Sequence, residues 1–203
     1  MSRSFGGVNE DMNLGDIADW DFGLNPFTIM CWAKTNGATD EGKGIMMKDT
    51  FAGNNNGIFF YLASFPPSKF AYWNGAVVTS LHTVALNGEW NHCAIVRENT
   101  GATGTKSYFN GVLTVEFQEN RNLGNTLETV FAGVSPPSLA NFFIGFMAHI
   151  SGWKTALSQG EVQQCMHHPV SVQKQSLIGY YPLWNGDQSV DYSDKGYTAT
   201  LNG

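Results

Sequence analysis

The stretch EWNHCAIVRENTGATGTKSYFNG, residues 89–111, decides the fold of this chain. Residues 90–98 read as a strand, in which successive side chains point to opposite faces. One predicted face carries Trp90, His92, Ala94 and Val96, and the other carries Asn91, Cys93, Ile95 and Arg97. The polar segment 98–106 predicts a loop. Asn110-Gly111 then predicts a hairpin, because both central residues of a type I′ turn need the positive φ that Asn and Gly tolerate best.

Short strands of the same kind recur along the whole chain, at spacings of about 8–12 residues. The run from Pro26 to Thr35 is a clear example, with apolar residues in both registers. One short helix is predicted near residues 159–167, where Ser158 and Glu161 have the spacing of a capping box. Many short strands with one helix predict an all-β sandwich or a closed barrel, built as a single domain over residues 1–203.

Composition argues against several classes of partner. Charged residues make up 14% of the 203 residues, the formal net charge is −6, and Lys and Arg form no run. Nucleic acid and anionic membrane surfaces are therefore not expected partners. Residues 1–15 lack the apolar core of a secretory signal, and no apolar run reaches the roughly 20 residues of a membrane-spanning helix. We expect a protein made in the cytosol, without membrane insertion, whose three cysteines form no disulfide framework.

Four segments, in this order, resemble the laminin-G-like, concanavalin A-like jelly-roll domains of lectins and glucanases. The segment 5–34 is similar to the opening strands of that family, and 88–113 to its Trp-x-His strand and aromatic hairpin. The segment 142–166 is similar to the closing strand and short helix, and 177–203 to the tail found beside such domains. The resemblance implies an all-β, two-sheet antiparallel jelly-roll sandwich of about ten to fourteen strands. One departure is the stretch 148–152, which lacks the carboxylates of the family pattern.

Catalysis is not expected of this chain. Jelly-roll glycosidases carry paired carboxylates in a Glu-x-Asp-x-x-Glu arrangement, which lines them up in a cleft at the separation that hydrolysis requires. That motif is absent, and Glu116 and Glu119 are three residues apart, so they would point to opposite faces of a strand. The resemblance and the missing carboxylates together predict a non-catalytic, lectin-like recognition module.

Aromatic and amide side chains are the groups that grip a sugar. The candidate ligand-binding residues are Asn54, Asn55, Asn56, Tyr72, Trp73 and Asn74. Only one of Tyr72 and Trp73 can face outward unless both faces of the strand are covered, because neighbouring side chains alternate.

The acidic segment 187–194 is the best candidate for a calcium site, since calcium takes six to eight oxygen ligands. The candidate ligands are Asp187, Asp191, Ser193 and Asp194. The resemblance strengthens this expectation, because relatives hold calcium at the rim of a sheet. The alternative is that these side chains bond their own backbone in Asx turns. No cofactor is required, and calcium is the metal whose binding this segment predicts.

Histidines in two further segments are candidate site residues. His92 has no nucleophile elbow or triad near it in sequence, so we interpret it as a buried structural histidine with a hydrogen-bond partner. Cys165, His167 and His168 are zinc-binding residue types, but a structural zinc needs four ligands and no second cluster supplies them.

Two functional hypotheses follow. The first is a carbohydrate-binding module displayed on the surface of a larger assembly. The alternative is a structural decoration or tail-associated protein of a phage or virus particle, with or without glycan binding. The expected partner is a glycan or a protein surface of a larger assembly, and a homo-oligomer fits either hypothesis.

Overall fold

Fourteen strands and one helix are formed by the residues that this computed structural model describes, which are 2–35, 43–48, 57–63, 69–73, 78–82, 88–124, 129–134, 142–183 and 189–203. The strands are β1 (Arg3–Gly6), β2 (Asp11–Gly15), β3 (Phe27–Thr35), β4 (Lys43–Lys48), β5 (Ile58–Ala63), β6 (Lys69–Trp73), β7 (Val78–Ser80), β8 (Asn91–Arg97), β9 (Thr105–Phe109), β10 (Val112–Phe117), β11 (Val130–Ala132), β12 (Ile144–Trp153), β13 (Leu177–Tyr181) and β14 (Thr200–Asn202). The helix α1 spans Gln159–Cys165.

The strands pair into two antiparallel sheets of seven strands each. The first sheet has the order β1-β12-β3-β8-β9-β10, and β13 also pairs with β12. The second sheet has the order β14-β2-β11-β4-β5-β6-β7. The predicted two-sheet antiparallel jelly-roll sandwich is therefore confirmed, and so is the single short helix near 159–167.

Strand β8, which forms the first part of the 89–111 stretch, is buried on both faces. Cys93 and Ile95 point into the main core between the sheets. Ala94 and Val96 belong to a second apolar cluster on the outside of the first sheet. The predicted alternation is confirmed, and neither face of this strand is exposed to solvent.

Helix α1 covers the outer face of the first sheet. It begins at the predicted capping box: Ser158 Oγ accepts a hydrogen bond from the Glu161 backbone N–H, and the Glu161 carboxylate accepts one of 2.8 Å from the Ser158 N–H. Val162 and Cys165 are its buried residues, and both pack in the outer apolar cluster. No helix among the described residues is long and apolar enough to cross a bilayer.

The hairpin of β9 and β10 turns at the predicted dipeptide. Asn110 and Gly111 have φ of 49° and 77°, and Phe109 pairs with Val112 across the turn. The loop before this hairpin is shorter than predicted, since β9 begins at Thr105.

The guanidinium of Arg97 joins loops at one end of the core. Its side chain is fully buried and donates four hydrogen bonds, at 2.6–3.1 Å, to the carbonyl oxygens of Gly23, Asn25 and Arg121. The guanidinium carbon also lies 4.8 Å from the ring centroid of Phe27. Burial lowers the pKa of Arg97.

The two ends of the chain lie on neighbouring strands. Strand β14 pairs with β2, with Leu201 opposite Met12. Arg3 on β1 donates a hydrogen bond of 3.0 Å to the Asn202 carbonyl oxygen. The second sheet is thus completed by residues almost 190 positions apart in the chain.

Candidate functional site

Tyr72 and Trp73 point to opposite faces of β6. Tyr72 is fully buried in the main core, with its ring centroid 5.6 Å from that of Phe117. Its hydroxyl oxygen accepts a hydrogen bond of 3.3 Å from Arg121. Trp73 is half-buried and outside that core. The expectation that Tyr72 contacts a ligand is therefore corrected, because its ring fills the interior, and Trp73 is the outward aromatic residue.

An aromatic pair marks the outer face of the second sheet. Tyr61 on β5 is half-buried and lies directly opposite Ala71 on β6. Trp73 is two residues beyond Ala71 on β6, so it is a diagonal neighbour of Tyr61 on the same face. The Cα atoms of such diagonal neighbours are roughly 7–8 Å apart. Val78 on β7 pairs with Trp73 and is 38% exposed. We call Tyr61, Trp73 and Val78 the Trp73 face.

The remaining members of the predicted ligand set flank this face in sequence. Asn54, Asn55 and Asn56 precede β5, and Asn74 follows β6 directly. All four lie outside the described residues.

Burial raises the pKa of Tyr61, so its hydroxyl stays protonated and able to donate at neutral pH.

Asp191, the central member of the predicted calcium set, is saturated by donors of its own chain. Oδ1 accepts hydrogen bonds of 2.8 Å from the backbone N–H groups of Tyr180 and Ser193. Oδ2 accepts one of 2.7 Å from Ser193 Oγ and one of 3.1 Å from the Tyr197 N–H. A cation would compete with these donors for the same lone pairs. In this arrangement the carboxylate holds its loop together, as the Asx-turn alternative predicts.

Of the other candidate calcium ligands, Ser193 is hydrogen-bonded to Asp191. Asp194 is exposed and forms a surface ion pair of 3.1 Å with Lys174. Asp187 lies outside the described residues. Across the described ranges, no three His, Cys, Asp or Glu side chains are grouped so that they could hold a metal ion. Calcium binding at this loop stays a prediction.

His92 is buried, as predicted, but its ring is not fully hydrogen-bonded. Its exposure is 1%, and its ring centroid lies 5.3 Å from that of Trp32. Burial, together with the smaller effect of the charges of His149 and His167, lowers the pKa of His92 to about 3, so the ring is neutral at neutral pH. Nδ1 has no hydrogen-bond partner among the described residues. The expected partner is therefore missing.

A cleft of about 360 Å³ opens on the outer face of the first sheet, beside Trp32, which packs against this histidine. The residues around it come mainly from β3, β12 and the end of α1: Ser2, Trp32, Trp90, Ala148, His149, Met166 and His167. We call it the Trp90 cleft. Trp32 Nε1 donates a hydrogen bond of 3.0 Å to the Met166 carbonyl oxygen, which holds the helix end over the sheet. Trp90 is 37% exposed and packs against Phe146, with ring centroids 6.5 Å apart.

His149 enters the cleft from a strained position on β12. Its φ is +52°, and the pairing of β12 with β3 shifts between Ala148 and Ser151. Such a bulge re-aims the side chain of the residue that it displaces. His149 Nδ1 lies 2.7 Å from the hydroxyl oxygen of Tyr180, which fixes the ring, and burial lowers the pKa of His149.

The cleft was not predicted as a site. The sequence pattern places Trp90 and His92 on one face, but it does not bring the other walls to them. Strand register does so: Ala148 pairs with Trp32, and Trp32 pairs with His92. The sequence feature that could have indicated this cleft is the pair Trp32 and Trp90, which lie on two strands of the family pattern.

The zinc and glycosidase candidates do not assemble into sites. Cys165 faces the sheet, and burial raises the pKa of its thiol to about 12, whereas His168 is exposed. Glu119 is buried and ion-paired with Arg121, whereas Glu116 is exposed on the edge strand β10. The two carboxylates therefore do not converge on one surface.

Comparisons with known proteins match this architecture. The chain is similar to a Bacteroides ovatus protein to which carbohydrate binding is ascribed, with 18% identity and a TM-score of 0.65 over 100% of this chain and 59% of that one. A heptameric SAP-like pentraxin from Limulus polyphemus is 15% identical, with a TM-score of 0.59 over 79% of this chain and 78% of that one. The CBM40 module of the Ruminococcus gnavus IT-sialidase, bound to α2,3-sialyllactose, is 16% identical, with a TM-score of 0.55 over 81% of this chain and 96% of that one. At these identities the likeness concerns the fold.

Family membership rests on sequence. No curated protein matches the chain. The family model of the concanavalin A-like lectin/glucanases superfamily matches residues 6–163, which is more than half of the chain. The chain therefore belongs to the concanavalin A-like lectin/glucanases superfamily.

Proposed function

We propose that this protein is a non-catalytic carbohydrate-binding module, and that its Trp73 face contacts the glycan. The aromatic pair of Tyr61 and Trp73 on the outward side of the second sheet carries the proposal. Flat aromatic rings offer an apolar surface to the C–H face of a sugar, and the protonated Tyr61 hydroxyl can hydrogen-bond to a sugar oxygen.

The form of this face favours an extended chain over a single sugar. Tyr61, Trp73 and Val78 lie on three neighbouring strands, which are about 4.8 Å apart. The face therefore extends across the strands instead of closing around one ring. Lys69 is four positions before Trp73 on β6, so its side chain lies on the same side of the strand. It adds a hydrogen-bond donor at one end of the face.

The fold and its relatives support a binding role over catalysis. The similar proteins include one to which carbohydrate binding is ascribed and a CBM40 module bound to sialyllactose. Among the described carboxylates, Glu119 is occupied by Arg121 inside the protein, and Glu116 lies on the edge strand of the other sheet. A pair of carboxylates beside the Trp73 face would be required for hydrolysis.

The test is a glycan array followed by calorimetric titration of its best polysaccharide or oligosaccharide. Trp73→Ala is expected to weaken binding by about tenfold or more, because it removes one stacking platform. Val112→Ala is the control, since it trims an exposed apolar side chain on the edge strand β10 of the other sheet. An array without hits, with calcium and with a chelator, would count against the function. Equal affinities of wild type and Trp73→Ala would count against the face.

Display on a larger assembly, including a phage or virus particle, is a separate proposal. Its support is the likeness of the fold to that of a bacteriophage CBA120 tailspike protein, with 14% identity and a TM-score of 0.54 over 79% of this chain and 27% of that one. Co-purification of the protein with particles, in amounts stoichiometric with a structural subunit, is the expected result. A protein found only free in solution would argue against it.

A further inference from the structure

We infer that the Trp90 cleft is a second binding site, which takes the single terminal sugar ring of a glycan and is independent of the Trp73 face. The two sites lie on the outer faces of opposite sheets. The inference stands on the size of the cleft, its aromatic walls and the strained residue that enters it.

Size sets the first limit on the ligand. A volume of about 360 Å³ is near the lower end for small-molecule pockets, which run from roughly 300 to 1,000 Å³. The cleft is bounded by helix α1 and the Trp32–Met166 hydrogen bond on one side, and by Trp90 on another. One ring, or one ring with part of the next, fits such a space, whereas the interior of a long polysaccharide does not.

The side chains around the cleft define the chemistry. Two indoles provide apolar faces, and the Ser2 hydroxyl and the exposed His167 imidazole provide groups that can donate or accept hydrogen bonds. No carboxylate is among the lining residues, so the cleft does not suit a metal ion or an organic cation. Aromatic faces with hydrogen-bonding groups beside them suit a polyhydroxylated ring, whose C–H face stacks while its hydroxyl groups bond at the edge.

One feature of the cleft and one feature beside it cost folding energy. A histidine at positive φ within a strand is strained by roughly 1 kcal/mol or more, and His149 takes this conformation with its ring fixed by Tyr180. His92 lies beneath Trp32, and its Nδ1 has no partner in the described part of the chain. Strain and an unmet buried polar group concentrate at functional sites more than at ordinary strand positions.

Titration of the full protein by NMR tests the inference. The probes are free galactose, glucose, mannose, N-acetylglucosamine, N-acetylgalactosamine, fucose, glucuronic acid and N-acetylneuraminic acid. The expected result is that at least one of them shifts the indole N–H resonances of Trp32 and Trp90 saturably. The Trp90 resonance is assigned by its loss in Trp90→Phe, and saturation transfer to the sugar is expected in parallel.

Variants separate this site from the Trp73 face. Trp90→Ala is expected to weaken the monosaccharide by about tenfold, and His149→Asn, which keeps a residue tolerant of positive φ, by a similar factor. Trp73→Ala is expected to leave this affinity unchanged while it weakens the polysaccharide. Thermal melting confirms that each variant is folded. The inference is overturned if none of the eight sugars shifts either indole, or if the affinity survives both Trp90→Ala and His149→Asn.

Discussion

Arg97 is the position where one substitution should have the largest effect on the fold. Replacing it with Met keeps a long unbranched stem over Phe27 but removes the guanidinium. The carbonyl oxygens of Gly23, Asn25 and Arg121 then lose four hydrogen bonds at 2.6–3.1 Å. No other side chain is placed to replace these donors among the hydrogen bonds of the described residues.

The magnitude follows from two opposing effects. A buried acceptor left without a donor costs about 1–3 kcal/mol, and this applies to the carbonyls of Asn25 and Arg121, because the Gly23 carbonyl keeps a hydrogen bond of 2.9 Å from the Leu123 N–H. Against this, Met does not carry the desolvation penalty of a buried cation, and loop carbonyls can turn partly toward water. We expect a net loss of about 3–5 kcal/mol in the free energy of unfolding. For a chain of this length, that lowers the melting temperature by roughly 10 °C or more.

Urea denaturation followed by far-UV circular dichroism measures the effect. Glu98→Gln is the matched control, because it breaks the partly exposed Glu98–Lys106 pair at 2.6 Å and should change the free energy of unfolding by less than about 1 kcal/mol. Arg97→Lys should fall between the two, since an ammonium keeps the charge but not the planar fork. If the stability of Arg97→Met lies within about 1 kcal/mol of the wild type, the guanidinium does not hold these loops and the reasoning fails.

Three further predictions concern stability. The pKa of His92 is about 3 in the folded protein, against the ordinary histidine value of 6.5 that applies once the chain unfolds. Between these two pH values the unfolded chain therefore binds more protons than the folded protein does. The free energy of unfolding should fall as the pH drops from 6.5 to 4.5, and His92 should contribute about 1.4 kcal/mol per pH unit to that fall. If the free energy of unfolding of His92→Gln depends on pH as steeply as that of the wild type, the prediction is contradicted. Gly152→Ala places Cβ 2.5 Å from Cη2 of buried Trp20 and should cost about 1–3 kcal/mol in denaturant melts, whereas Gly160→Ala meets no atom within 4 Å and should be neutral or stabilising. Ser158→Ala should cost about 1 kcal/mol by loss of the helix cap, and unchanged melting would show that the cap is dispensable.

Local signals predicted the strands well. Alternation places Cys93 and Ile95 in the core, and the positive φ values of Asn110 and Gly111 follow from turn chemistry alone. The capping box at Ser158 is likewise a contact between near neighbours. Each of these features depends on residues within a few positions of one another, so the sequence carries its full signal.

The candidate sites depend on distant residues, and local signals are weaker there. Tyr72 and Trp73 belong to the segment 70–73, which contains only apolar and aromatic residues. The alternation of side chains along the strand therefore could not say which of the two faces outward. The run has this character because the core lies on one side and a half-buried face on the other. The Trp90 cleft requires β3, β8 and β12 in register and the end of α1 above them. Nothing within ten residues of His149 indicates that Trp32 lies beside it.

The pairing of β14 with β2 has a consequence for the order of folding. Closing a loop of about 190 residues costs roughly 5 kcal/mol in chain entropy, against about 1 kcal/mol for the turn at Asn110-Gly111. The hairpin of β9 and β10 can therefore form early and unaided, whereas β14 can dock only after most of the sandwich exists. Until then the edge of β2 has no partner on that side, and slow folding with a transiently open sheet edge is the kinetic signature of this topology.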